Sequence, residues 1–122
     1  MKKIMVIDDS DSMLQIMKAL LEKLGYEAML FTDTSSALLF LKAGINLPYL
    51  ILADIIMPKM DGYSFCRAVK KIPAIQLIPV IFVTSLGSDW DKKHAKECGA
   101  SGFITKPVDA EKLQETLKTF SW

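Results

Sequence analysis

The residues from Leu50 to Gly62 read LILADIIMPKMDG, in which an apolar run ends abruptly at the carboxylate of Asp54. Short apolar runs bounded by turn residues are typical of strands buried on both faces of a sheet. Pro58 and Asp61-Gly62, which follow Asp54, are signals of a turn and of a helix start. Because open parallel α/β sheets bind ligands at the carboxyl ends of their strands, Asp54 is a candidate functional residue. Taken alone, however, this stretch favours a simpler interpretation, in which Asp54 caps the following turn.

Strands and helices alternate along the rest of the chain. Apolar residues recur at helical spacing in segments that begin at capping residues, which are Ser10, Asp11 or Ser12 for the first helix and Asp109 for the last. The runs between these segments predict strands at Lys3–Ile7, Glu27–Phe31, Tyr49–Asp54, Pro79–Thr84 and Gly102–Thr105. This alternation predicts an α/β fold, a (βα)5 flavodoxin-like doubly wound parallel sheet with strand order 2-1-3-4-5.

Length and composition limit the classes of protein to which the chain can belong. Its 122 residues suit one domain, residues 1–122, and an apolar content of 51% provides a core. The 15 Lys and Arg and 14 Asp and Glu residues give a net charge of +1, without the field of one sign that nucleic acid or an anionic membrane attracts. No apolar run approaches the about 20 residues of a membrane span, and no signal peptide is recognisable. We therefore expect a cytoplasmic protein, and take Cys66 and Cys98 as reduced thiols without metal-site spacing.

Polar residues follow four of the five predicted strands: Asp8-Asp9, Asp54, Thr84 and Lys106. In the predicted strand order the first and third strands are neighbours, so Asp8 and Asp9 are expected to face Asp54 across one crevice. Carboxylates that converge repel one another, and a bound cation relieves the repulsion. An all-oxygen acidic site with open water positions suits Mg²⁺. The alternative for the acidic pair is that it caps the first helix.

The polar residues belong to an ordered set of motifs. These are Asp8-Asp9, Asp54-x-x-Met57-Pro58-x-Met60-Asp61-Gly62, Thr84-Ser85 and Lys106-Pro107. The set resembles the receiver domains of two-component response regulators, and the similarity runs over the whole chain in the same order. A lone Asp-Asp or Lys-Pro would carry no weight, but the ordered set is specific.

The resemblance implies a role for each residue. Asp54 would be the phosphoacceptor, taking a phosphoryl group from a sensor histidine kinase or a His-phosphotransfer protein. Asp8, Asp9, Asp54 and the backbone carbonyl of Ile56 would hold Mg²⁺, for which Mn²⁺ can substitute. Lys106 and Thr84 would bind the phosphoryl oxygens.

The resemblance also implies a switch. Thr84 and Phe103 would change the face formed by the fourth helix, fifth strand and fifth helix, which binds an output partner. Such a domain catalyses only its own phosphotransfer and dephosphorylation, and is a monomer or a weak phosphorylation-dependent dimer. If the chain is a whole protein it acts by binding a partner; if it is part of a longer one, the output lies elsewhere.

Some positions distinguish this chain from many members of that family. Phe103 stands where many receivers have tyrosine, and so offers no hydroxyl to a partner. Ile56 and Leu86 are apolar where the family's residues control water access, which predicts slow self-hydrolysis. The segment Asp89–Cys98 has a thin apolar stripe and is expected to dock loosely, with Trp90 as either an exposed anchor or a half-buried core residue.

Three other functions compete with a receiver domain. Asp9-Ser10-Asp11 fits the nucleophile motif of a small Mg²⁺-dependent phosphohydrolase of the haloacid-dehalogenase kind, but leaves Asp54 unexplained. A flavodoxin-like cofactor carrier would need a phosphate-binding loop rich in Gly, Ser or Thr after the first strand, where aspartates stand instead. A receiver-fold adaptor that never uses phosphate would not need the complete set of acids, hydroxyl and lysine.

Overall fold

Five strands alternate with five helices in the part of the chain that the computed structural model describes, residues 1–120. The strands are β1 (Lys3–Ile7), β2 (Glu27–Phe31), β3 (Leu50–Ala53), β4 (Val80–Thr84) and β5 (Gly102–Thr105). The helices are α1 (Asp11–Lys23), α2 (Thr34–Ala43), α3 (Gly62–Lys70), α4 (Asp89–Glu97) and α5 (Ala110–Thr119). The predicted alternation is confirmed, with strand bounds that differ from the prediction by one residue at most.

All strand pairs are parallel and the sheet order is β2-β1-β3-β4-β5, which confirms the predicted flavodoxin-like topology. The winding reverses between β1 and β3, where Ile7 pairs with Ala53. Because Asp8 and Asp54 are the next residues in each strand's direction, this register brings them side by side at the carboxyl edge. On the other side of β4, Thr84 pairs with Thr105, so Lys106 leaves the sheet next to Thr84.

The core is divided between the two faces of the sheet. β3 and β4 are buried along their whole length, as expected for central parallel strands covered on both sides. Alternate residues of the strands contribute to one apolar cluster with α1 and α5 and to another with α2, α3 and α4. Helices therefore pack on both faces of the sheet, and the strand ends at its carboxyl edge are held in fixed positions.

Each helix starts at a side chain that accepts a backbone hydrogen bond. The N-caps are Ser10, Asp33, Asp61, Ser88 and Asp109. For α1 the structure selects Ser10, which has extended backbone angles and accepts from the Met13 amide at 3.2 Å. Asp11 and Ser12 already lie inside the helix, so the alternative capping positions are wrong.

α4 is attached sparsely, as the sequence predicts. Within it only Ala95 is buried, and Trp90 is 65% exposed, which favours the exposed alternative over a half-buried core residue. Trp90 stacks on His94, whose ring in turn makes a T-shaped contact with the ring of Tyr63 in α3. Cys66 and Cys98 are free buried thiols. Among residues 1–120, no helix has the length and apolar character that crossing a membrane would require.

Candidate functional site

Asp54 projects from the end of β3 and is 8% exposed. Its Oδ1 accepts hydrogen bonds from the backbone amides of Ile55 at 2.7 Å and Ile56 at 3.3 Å. Its Oδ2 accepts from Lys106 Nζ at 2.8 Å. One oxygen therefore caps the following turn, as the simpler interpretation proposed, while the other faces a charged side chain from the fifth strand end.

Asp8 is the second buried carboxylate at this edge. Its Oδ1 accepts from the Ser10 amide at 2.9 Å, and its Oδ2 accepts from Lys106 Nζ, also at 2.9 Å. The Lys106 ammonium group thus joins both acids. Burial acts to lower the pKa of Lys106, but the hydrogen bonds to Asp54 and Asp8 outweigh it and raise the pKa above its ordinary value of 10.5.

Asp9, the third predicted carboxylate, has an exposed side chain, whereas the two acids that Lys106 joins are buried. Asp8 is 4% exposed, so the two neighbouring acids differ in their access to solvent. Residues 1–120 contain no group of three or more His, Cys, Asp or Glu side chains arranged to hold a metal ion. Two of the three predicted carboxylates, Asp8 and Asp54, meet at Lys106, and the place of Asp9 in the site stays a prediction.

The oxygen atoms at this edge nevertheless fit Mg²⁺. Mg²⁺ usually binds through one or two carboxylates and keeps several of its water molecules. Asp8 and Asp54 provide two buried carboxylates, and the backbone carbonyl of Ile56, two residues beyond Asp54, is the further ligand that the sequence analysis predicted. This hard oxygen set matches magnesium chemistry, and Asp9 is adjacent on the solvent side.

Thr84 lies on β4, which is next to β3, and Phe103 lies on β5, the edge strand beyond β4. Thr84 is fully buried, and its Oγ1 accepts from the Leu86 amide at 3.3 Å. Its carbonyl oxygen accepts from the Lys106 amide at 2.8 Å, which ties the carboxyl ends of β4 and β5 together. Phe103 is half-buried on β5 and packs against the core cluster of α2, α3 and α4.

The loop after Asp54 folds back on itself through Gly62. The Gly62 amide donates to the Ile55 carbonyl at 2.8 Å. A Cβ atom on Gly62 would collide with the Asp54 carbonyl oxygen and lie 2.7 Å from Ile55 Cα. Sequence reasoning assigned Gly62 only to a helix start, although a glycine directly after a capping aspartate also fits a close backbone approach.

A second residue that sequence reasoning missed is Thr34, the first residue of α2. Its side chain is buried, and its hydroxyl donates to the carbonyl oxygen of Met60 at 2.6 Å. The two residues are 26 positions apart, and no local sequence pattern connects them.

Residues 4–118 match the family model of the response regulator receiver domain. The response regulator PleD of Caulobacter vibrioides is 38% identical over 107 residues, which is 88% of this chain and 23% of PleD. Protein PilG of Pseudomonas aeruginosa is 34% identical over 116 residues, 95% of this chain and 84% of PilG. The chain spans less than half the length of several curated relatives, such as the probable transcriptional regulator ycf27 of Cyanophora paradoxa, of which it covers 47%.

Solved structures are similar over nearly the whole chain. The chemotaxis protein CheY4 of Vibrio cholerae has a TM-score of 0.90 and 30% identity, with 99% of both chains covered. The receiver domain of a signal transduction histidine kinase from Syntrophus aciditrophicus has a TM-score of 0.88 and 36% identity, covering 98% of this chain and 89% of that one.

Proposed function

This chain belongs to the response regulator receiver domain family, and from that membership we propose that Asp54 is its phosphoacceptor. The phosphoryl group would come from a phosphohistidine on a sensor histidine kinase or a His-phosphotransfer protein. The observation that carries the proposal is the Asp54 carboxylate, buried at a strand end and held by two backbone amides and Lys106. Positioning and charge neutralisation of this kind are the main requirements of phosphoryl transfer.

In the transfer step, a carboxylate oxygen of Asp54 attacks the phosphorus atom. A P–O bond forms, the P–N bond to the donor's imidazole breaks, and its electron pair stays with the imidazole nitrogen. The product is an acyl phosphate. Oδ1 accepts from two backbone amides, whereas Oδ2 accepts from the Lys106 side chain, which can rotate to a phosphoryl oxygen, so we assign Oδ2 as the nucleophilic oxygen. Lys106 Nζ, 2.8 Å from Oδ2, is within reach of a phosphoryl oxygen attached there.

The carboxylates of Asp8, Asp9 and Asp54 and the carbonyl of Ile56 would hold Mg²⁺, or Mn²⁺ in its place. When bound, the metal supplies charge neutralisation between carboxylate and phosphoryl oxygens. Asp8 and Asp54 both form ion pairs with the Lys106 ammonium group, which supports the proposal that the two carboxylates bind a cation together. Asp9 would contribute from the solvent side.

The phosphorylated domain would act by binding rather than by turnover of a separate substrate. The Thr84 hydroxyl binds a phosphoryl oxygen, Phe103 moves inward behind it, and the surface of α4, β5 and α5 changes for an output partner protein. Full switching of such a two-state equilibrium requires about 5.5 kcal/mol of preference for one state. Trp90, exposed on α4, is a candidate anchor for that partner.

Further properties follow from this proposal. We infer that the domain works in the reducing cytoplasm, with which its free thiols Cys66 and Cys98 agree, as a monomer or a weak dimer on phosphorylation. Its chemistry is limited to its own phosphotransfer and dephosphorylation. We expect the dephosphorylation to be slow, because the apolar residues Ile56 and Leu86 stand at the positions that influence water access in this family.

The test is incubation with Mg²⁺ and acetyl phosphate, followed by intact-mass measurement. The wild type is expected to gain one phosphoryl group that hydroxylamine removes, and Asp54→Asn is expected to gain none. Asp109→Asn is the matched control, because Asp109 caps α5 and asparagine caps equally well. Absence of a hydroxylamine-labile gain that depends on Asp54 would refute the proposal. Phosphomonoester turnover that needs Asp9 but not Asp54 would favour the hydrolase instead.

A further inference from the structure

The buried hydroxyl of Thr34 reaches from α2 to the loop that carries the site. Its Oγ1 donates to the Met60 carbonyl at 2.6 Å, and the residue is 1% exposed. Met60 belongs to the segment 55–61, which connects β3 to α3 and which we call the β3–α3 loop. A short hydrogen bond in a buried position holds two elements that are distant in the chain.

Thr34 is not needed to cap its own helix. Asp33 is the N-cap of α2, and its Oδ1 accepts from the Ser36 amide at 2.7 Å. The Thr34 hydroxyl points away from α2 to an acceptor in another element. Its hydrogen bond therefore acts on the β3–α3 loop rather than on the start of the helix.

The β3–α3 loop carries the groups that orient the phosphoacceptor. The Ile55 and Ile56 amides hold Asp54 Oδ1 at one end, and the Gly62 amide closes the loop on Ile55 at the other. Between them Lys59 has φ of 68°, a left-handed conformation that residues other than glycine seldom adopt. The Thr34 hydrogen bond fixes the next residue, Met60. It therefore helps to hold the loop in a conformation that the backbone of Lys59 would not favour by itself.

We propose that Thr34 is a positioning residue of the site. By fixing Met60, it maintains the hydrogen bonds from the Ile55 and Ile56 amides to Asp54 Oδ1. It also keeps the Ile56 carbonyl in a position to bind Mg²⁺. The inference rests on the proposed function for its consequences in phosphorylation, but its direct effect is on loop geometry. Groups that orient a metal ligand without touching the metal commonly change affinity about 10- to 100-fold when removed.

The test compares Thr34→Val, which removes the hydroxyl at nearly constant volume, with Thr34→Ser, which keeps it. Thr116→Val is the matched control, because the Thr116 hydroxyl donates to the Lys112 carbonyl within α5 at 3.0 Å. The first measurement is amide hydrogen exchange at Ile55 and Ile56 in metal-free protein. The second is a Mg²⁺ titration followed by the chemical shifts of the same amides. Both measurements report the conformation of the β3–α3 loop, and neither requires phosphoryl transfer.

In Thr34→Val we expect the Ile55 and Ile56 amides to exchange faster and the affinity for Mg²⁺ to fall about tenfold. Thr34→Ser and the control Thr116→Val should match the wild type in both measurements. Equal exchange and equal affinity in Thr34→Val would overturn the proposal. If the valine variant does not fold, Thr34→Ala and Thr34→Ser are compared, and equal behaviour of these two overturns it as well. If the wild type binds Mg²⁺ but gains no phosphoryl group, only the proposed function is refuted. Amide exchange and Mg²⁺ affinity can still be compared between the wild type and the Thr34 variants.

Discussion

Lys106 Nζ lies 2.8 Å from Asp54 Oδ2, although the two residues are 52 positions apart in the chain. The same nitrogen lies 2.9 Å from Asp8 Oδ2, so one ammonium group serves two buried carboxylates. Removing one partner of a buried ion pair leaves the remaining charge uncompensated, which is strongly unfavourable. The lysine thus occupies the role that a bound cation would otherwise have at this edge of the sheet.

Replacing Lys106 with methionine is expected to tighten Mg²⁺ binding and to slow phosphorylation. Two unit charges 4 Å apart interact by about 4 kcal/mol at an effective dielectric constant of 20. Because Lys106 is partly exposed, solvent screens much of this, and we expect about tenfold tighter binding. The phosphorylation rate should fall about 100-fold or more, since the phosphoryl oxygens lose a charged donor.

Titration of metal-free protein with Mg²⁺ and the rate of mass gain with acetyl phosphate measure the two effects. Lys112→Met, on the exposed face of α5, is the control and should change neither. Weaker Mg²⁺ binding in Lys106→Met would contradict the view that lysine and metal compensate the same carboxylates.

Gly62→Ala is expected to destabilise the fold and disturb Asp54. Alanine is favoured over glycine in a helix by about 1 kcal/mol, whereas overpacking costs about 1–3 kcal/mol. The atoms that the new Cβ would meet are backbone atoms of Asp54 and Ile55, which cannot rotate away, so the clash should dominate. We expect a net loss of about 2 kcal/mol in the free energy of unfolding, measured by urea denaturation.

Gly87→Ala is the matched control for that substitution. Its Cβ would lie 3.4 Å from Thr105 Cγ2, an ordinary contact with a side chain. The free energy of unfolding should change by less than about 0.5 kcal/mol. Equal effects of the two substitutions would show that the approach of Gly62 to the Asp54 carbonyl does not matter.

The sheet order and the location of the site were predictable because they depend on local signals. Apolar runs mark buried strands, and regular alternation with helices leaves few topologies. Once the order is known, the carboxyl ends of β1, β3 and β5 carry Asp8, Asp54 and Lys106 to one edge. These relations require no knowledge of side-chain direction.

What sequence could not supply is the direction and reach of individual side chains. The sequence does not reveal that Asp8 is buried while its neighbour Asp9 is exposed. The contact of Thr34 with Met60 depends on how α2 packs beside the β3–α3 loop. The restriction on Gly62 depends on a backbone approach to Asp54 that only the folded chain creates.

Thr84→Val is expected to separate phosphorylation from switching. Valine fills the same buried space but cannot donate a hydroxyl to a phosphoryl oxygen. The variant should still gain the acetyl-phosphate-dependent mass, while the accompanying change in the Phe103 ring resonances seen by NMR should be lost. Thr105→Val, on the paired position of β5, is the control and should retain that change. An unaltered Phe103 response in Thr84→Val would contradict a role for the hydroxyl in switching.

Tyr63→Phe is expected to change the pH dependence of stability at alkaline pH. Burial, helped by the adjacent Asp91, raises the pKa of Tyr63 from 10.0 to about 12. Its hydroxyl donates to Asp91 Oδ1 at 3.2 Å, so its loss should cost about 1 kcal/mol at neutral pH. Between pH 10 and 12 the unfolded chain releases a proton that the folded chain retains, so the stability that the neutral phenol provides declines as pH rises.

The phenylalanine variant has no proton to lose at this position, so its deficit relative to the wild type should shrink as the pH rises from 10 towards 12. Tyr49, whose pKa burial also raises to about 12, is present in both proteins and cancels in the difference. Urea denaturation of both proteins at a series of pH values measures the two free energies of unfolding. A gap that stays constant over this range would show that Tyr63 is not held neutral by the contact between α3 and α4.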